Sequence, residues 1–163
     1  MNKADNTALA EKSEGARHSK LSLRLWLKLL SSSKIVEKRL RARLEEEFAS
    51  TLPRFDTLAA LEHHPEGLKM SELSESLLVS NGNVTGVVIR LIKDGFVTRT
   101  VDSSDRRAAT VRLTRKGREA FLKMAASHET WIHDMFANLS DNQIAELTRL
   151  VDYMRRSIEA DAP

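Results

Sequence analysis

Ser80-Asn81-Gly82-Asn83-Val84-Thr85-Gly86-Val87-Val88-Ile89-Arg90-Leu91-Ile92-Lys93-Asp94-Gly95 is followed by Phe96-Val97-Thr98-Arg99-Thr100-Val101-Asp102-Ser103-Ser104-Asp105-Arg106-Arg107, and the hydrophobic period changes at the glycine. Before Gly95, Val84, Val87, Val88, Leu91 and Ile92 form one apolar stripe at helical spacing, and Asn81, Asn83, Thr85 and Arg90 fall largely off it. Ser80 stands where an N-cap hydroxyl belongs and Gly95 where a helix stops. After Gly95, residues 96–101 alternate as a strand does, and 109–113 do so more weakly. The polar, turn-forming segment between them closes a hairpin whose tip is basic. Upstream, residues 71–78 read as a short helix with Ser71 as its cap, joined to the next helix by a tight connection around Val79. A helix, a tight turn, a helix polar at its amino end and an arginine-tipped hairpin make a winged helix-turn-helix.

The flanks read as helices that need partners. Residues 1–19 are small, polar and charged without an apolar period, which predicts a flexible arm. Leu21, Leu25, Leu29, Ile35, Val36, Leu40, Leu44 and Phe48 then recur at helical spacing, predicting a helix of about 28 residues. Pro53 suits the first turn of a second helix that carries Phe55, Leu58 and Leu61 and ends near 63–65. Thr114 begins a long helix to about Ala137. In the last helix Ile144, Leu147, Val151, Met154 and Ile158 step by three and four, a heptad-like seam suited to a helix–helix interface. The fold class is therefore mainly α with a small β-hairpin wing. Its parts are an arm at 1–19, a winged helix-turn-helix DNA-binding region at 51–113, and a helical dimerisation region at 20–50 and 114–160.

Composition narrows the function. The chain has 163 residues, a net charge of +3 and no cysteine, which removes disulfides, thiolate metal sites and thiol redox chemistry. Residues 80–123 hold ten basic side chains against four acidic ones, so this quarter of the chain is more positive than the whole. Such an asymmetry suits a polyanion-binding surface. The five histidines, at 18, 63, 64, 128 and 133, lack the His-Glu-x-x-His spacing of a metal site. No nucleophile elbow, phosphate-cradling loop or dinucleotide fingerprint occurs, so no catalytic residue, metal or cofactor is expected and the chain does not read as an enzyme. Residues 21–30 are apolar but carry Arg24 and Lys28, too charged to span a membrane. Their other reading, a membrane-surface helix anchored by Trp26, is weaker than a dimer core, because the C-terminal seam needs a partner too. The polar first residues differ from a signal peptide, and a cytoplasmic location is the expectation.

Specific chemistry follows from the winged segment. The helix opened by Ser80 fits the major groove, where Asn81, Asn83 and Thr85 can reach base edges while the Ser80 hydroxyl and free amides contact phosphate. Arg90 adds charge on the same side. At the wing tip Arg106 and Arg107 can enter a narrow, A·T-rich minor groove, with Asp102 and Asp105 orienting a guanidinium by paired hydrogen bonds.

Residues 25–155 resemble the MarR-type bacterial transcription regulators. The resemblance is carried by Leu91-x-x-x-Gly95-Phe96-Val97-x-Arg99, then Asp102-x-x-Asp105-Arg106-Arg107, then Val111-x-Leu113-Thr114-x-x-Gly117. It implies that Ser80, Asn81, Asn83 and Thr85 lie in the major groove, that Arg107 reaches the minor groove and that Asp105 braces it. Ser104 stands where the family often has arginine, which removes one wing contact, and Ile92 replaces a commonly charged position, extending the apolar face.

The resemblance also implies a homodimer on double-stranded DNA, and two-fold symmetry then calls for a near-palindromic operator. It further implies a repressor that leaves DNA when a small aromatic or anionic effector enters a pocket between the dimer helices and the winged domain. An aromatic acid or its coenzyme A thioester fits that class. Trp26, Leu30, Arg54, Phe55, His63 and Trp131 are the candidate lining, aromatic faces for stacking and cations for pairing. The alternative is a nonspecific DNA-binding or helical interaction protein without ligand response.

Overall fold

A computed structural model describes residues 3–101 and 109–160. The chain runs α1 (Lys3–Phe48), α2 (Leu52–Glu62), β1 (Leu68–Lys69), α3 (Met70–Ser76), α4 (Asn81–Lys93), β2 (Val97–Val101), β3 (Ala109–Leu113), α5 (Arg115–Phe136) and α6 (Asp141–Ala160). The three strands form an antiparallel sheet in the order β1-β3-β2, with Leu68 opposite Val111 and Arg99 opposite the same residue from the other side.

Three local expectations are corrected. The flexible arm at 1–19 gives way to helix from Lys3 onward, so α1 has 46 residues rather than about 28. The segment has no apolar stripe, but Ala, Glu and Lys are strong helix formers, and it extends a helix already nucleated downstream. The α3 cap lies at Lys69, not Ser71, and the Lys69 N–H donates to the Glu72 carboxylate at 2.7 Å. The two-stranded hairpin gains β1 as a third strand.

The core sits where α2, α3, α4 and the sheet converge. Leu58, Leu73, Leu91 and Val111 are wholly enclosed, and Leu44 brings α1 into the same cluster. Phe55 stacks on the His128 ring at 4.7 Å and tilts against Phe121 at 5.6 Å, which joins α2 to α5. Burial pushes His128 below its ordinary pKa. Trp131 closes the other end against Phe48, ring centroids 6.2 Å apart.

The junction after the sheet is tight. Thr114 caps α5: its hydroxyl accepts from the Gly117 N–H at 2.9 Å and donates to the Gly95 carbonyl at 2.7 Å. The Thr114 N–H donates to the Phe96 carbonyl at 3.0 Å.

α3 ends on a left-handed residue, Leu78, at φ 53°. Its N–H donates to the Glu75 carbonyl and the Val79 N–H to the Ser74 carbonyl, a pattern in which glycine is the usual occupant. The Leu78 side chain is 93% exposed, so it returns no burial for the strain. Leu78→Gly is expected to raise stability by about 1 kcal/mol, the scale of the left-handed penalty. Chemical denaturation checks this through an upward shift in midpoint at unchanged slope.

Candidate nucleic-acid interface

α4 is anchored by one side and open on the other. Val84, Val88 and Leu91 are buried, whereas Asn81, Asn83, Thr85 and Arg90 are exposed. Ile92, expected to extend the apolar stripe, is instead 38% exposed because it lies at the margin of the buried arc. Ser80 is the N-cap residue, in extended conformation, and its side chain makes no cap hydrogen bond. A hydroxyl and the free amides of a first helical turn are therefore presented together, as an anion site requires. The Thr85 hydroxyl is committed within the helix, donating to the Asn81 carbonyl at 2.7 Å. Of the side chains expected to hydrogen-bond base edges, Asn81 and Asn83 remain suited to it, and Thr85 presents its methyl.

The helix is fixed at its far end by charge. The Arg54 guanidinium donates to the Asp94 carboxylate at 2.6 Å and lies 5.7 Å from the Phe96 ring centre. Lys116 approaches the same ring at 5.1 Å and donates to the Asp94 carbonyl. Arg54 thus ties α2 to the exit of α4. On the sheet Arg99 and Arg112 are exposed and basic. Asp105, Arg106 and Arg107, with Asp102 and Ser104, lie outside the described residues.

A cavity of about 860 Å³ opens between α1, α2, α3 and α4. Glu37 and Arg41 of α1, paired at 2.8 Å, form one side of it, and Asp56 of α2 and His63, just past the end of that helix, also line it. Asn83 and Arg90 of α4 complete the wall. Burial, then the Glu37 charge, push Asp56 up to about 6, with Arg41 opposing the shift.

The six effector candidates do not converge. His63 lines this cavity. Phe55 and Trp131 are buried in aromatic contacts, Trp26 is 57% exposed along α1, and Leu30 is half-buried there. Phe55 and Trp131 pack in the core, the commoner use of an aromatic side chain. Glu37, Arg41 and Asp56 were missed, because no local pattern sets α1 and α2 across from α4. The only local signal was the four-residue Glu37–Arg41 spacing.

Asp56 gives a pH test. A carboxyl whose folded pKa is raised binds its proton more tightly in the native state, so its ionised form weakens the fold. The penalty is complete above about pH 6 and absent below the ordinary value of 3.8. Asp56→Asn is therefore expected to raise the melting temperature relative to the native chain at pH 7.5. The gain should shrink as pH falls through that window and vanish below it, as a paired series of thermal melts would show.

Among the described residues, no helix is long and apolar enough to cross a membrane. No group of three or more metal-ligating side chains occurs among them either.

Residues 50–109 match the family model described as the MarR family. A crystal structure of a MarR family transcriptional regulator from Silicibacter pomeroyi is 33% identical, covers 86% of this chain and 97% of its own, and superposes with a TM-score of 0.74. The transcriptional activatory protein BadR of Rhodopseudomonas palustris is 26% identical over 88% of this chain and 86% of its own length. Sco3205, a MarR family regulator from Streptomyces coelicolor whose structure is in complex with DNA, shares the fold at a TM-score of 0.73 and 24% identity, covering 85% of this chain and 86% of its own. Against the first two curated relatives the match spans about half of their length.

Proposed function

The chain belongs to the MarR family of transcriptional regulators, and from that premise we propose that it is a dimeric, sequence-specific DNA-binding repressor released from a near-palindromic operator by a small aromatic or anionic ligand. The observation that carries the DNA reading is the two-sidedness of α4, with Asn81, Asn83 and Arg90 exposed opposite a buried valine and leucine row. A helix anchored in this way can enter a major groove without giving up its own packing. The basic wing residues Arg106 and Arg107, braced by Asp105, belong to the same proposal, as do the regions 51–113 for DNA and 20–50 with 114–160 for dimerisation. Residence in the cytoplasm goes with a chromosomal partner.

Two further observations support the dimer and the ligand. Ile144, Leu147, Val151 and Ile158 of α6 are all exposed in the single chain, an apolar face that a second copy would cover. The cavity is of the size small-molecule sites take, about 300–1,000 Å³. Arg41 and Arg90 offer cations to an acid, His63 offers a ring nitrogen, and α4 itself forms part of the wall. A ligand there would bear on the reading helix directly. A ~100-fold preference for the state that does not fit DNA corresponds to ~2.7 kcal/mol, an ordinary allosteric coupling.

The test is a pair of substitutions scored against a selected operator. Asn83→Ala is expected to change preference at one base pair per half-site. Arg107→Ala should weaken binding across sequences and lower the salt slope by about one unit if it meets phosphate, or lose A·T selectivity if it reads the minor groove. Unchanged affinity and specificity in both variants would defeat the docking. Reporter transcription with and without the protein reads the sign, which in the relative BadR is activation.

A further inference from the structure

The exposed side of α4 carries a ridge that the polar reading leaves unused. Asn81, Thr85, Ile89 and Lys93 follow one another at four-residue spacing and so stand in one row along the helix. Ile89 is 61% exposed, a large hydrocarbon in the middle of a row whose ends, Asn81 and Lys93, are polar. Thr85 adds hydrocarbon to it, because its hydroxyl is held by the Asn81 carbonyl at 2.7 Å and its methyl is the group left to offer. Beside this row, the positions of Gly82 and Gly86 meet no atom within 4 Å of where a Cβ would sit, so no neighbouring side chain screens the row.

A single exposed isoleucine is ordinary on a protein surface, so what gives Ile89 meaning is its place. The surface is continuous with the face that carries Asn81 and Asn83, the residues proposed to enter a major groove. The hydrocarbon a major groove displays is the thymine C5-methyl group. Four residues of α-helix advance about 6 Å, and base pairs are stacked about 3.4 Å apart, so Thr85 and Ile89 can meet methyls one or two steps apart. We propose that Thr85 and Ile89 are specificity-determining residues that read thymine methyl groups in each half-site. The inference rests on the DNA-binding reading above and adds the base feature that is recognised.

The experiment begins with selection of the native full chain on a random duplex library. Each thymine of the enriched half-site is then replaced by uracil, which deletes the methyl and keeps every hydrogen-bonding group. One or two of these replacements are expected to weaken binding about fourfold each, the ratio that burying one methyl group produces. In Ile89→Ala the penalty at one position should disappear, and in Thr85→Ser, which keeps the hydroxyl bond, the penalty at its neighbour should disappear. Both side chains are exposed, and circular dichroism melts should match the native chain. Uracil tolerated at every position, or a penalty that persists unchanged in both variants, would overturn the methyl reading while leaving operator binding intact. A library from which no sequence is enriched would overturn the DNA reading and this inference together.

Discussion

Gly117→Ala is expected to destabilise the fold by about 3 kcal/mol, at the upper end of what one added methyl does in a packed interior. A Cβ built on Gly117 would lie 1.9 Å from the Phe96 carbonyl oxygen, and 2.7 Å from its carbon. Neither partner can yield easily. The Phe96 carbonyl accepts from the Thr114 N–H at 3.0 Å, and the Phe96 N–H is itself bonded to the Leu91 carbonyl at 2.9 Å. On the other side, Gly117 is held by its own N–H to the Thr114 hydroxyl, so moving α5 away would break its cap. The substitution therefore works at the seam where α4, the sheet and α5 meet. Urea unfolding should show the midpoint falling by about 1 M or more with little change in slope. Gly86→Ala is the control: open space surrounds that position, and alanine there should stabilise α4 by about 1 kcal/mol.

Leu147→Glu combined with Val151→Glu is expected to have the largest effect on DNA binding of any change outside the reading helix. Both side chains are about half exposed in the single chain, so the protomer loses little by their replacement. In a two-fold dimer each position occurs twice, and the four new carboxylates would be brought together in what had been an apolar seam. Sedimentation should report a monomer. With one reading head instead of two, the affinity for a two-half-site operator should fall by about 10²–10⁴, the advantage that linkage of two binding events provides. An unchanged sedimentation coefficient with unchanged affinity would place the dimer seam elsewhere.

How much of this was legible beforehand depended on whether a feature was local. The change of period at Gly95 identified α4 and the wing strands, because one residue separates a 3.6-residue stripe from an alternating run. The heptad-like steps of α6 likewise showed in advance a face that the isolated chain leaves uncovered. The amino-terminal part of α1 was not legible, since its helix rests on propensity without an apolar stripe. Leu68–Lys69 was too short to read as a strand, and its partner Val111 lies more than forty residues away. The cavity was invisible for the same reason: Glu37, Asp56 and Arg90 come from three helices and share no sequence pattern. In the sequence Arg54 reads as a ligand contact, because an isolated arginine near aromatics looks like one. Only the fold shows that one of its nitrogens bonds Asp94.

Recognition of a specific duplex by a dimer is most directly measured by titrating the purified chain against the DNA upstream of its own gene, with random duplex as competitor at ~150 mM salt and footprinting of the complex. Two protected half-sites one helical turn apart, occupied by two chains and retained under ~10³-fold excess of competitor, are the expected result. Binding that random DNA displaces in proportion to its concentration, with no protected site, would contradict it and return the chain to the class of nonspecific DNA-binding or helical interaction proteins.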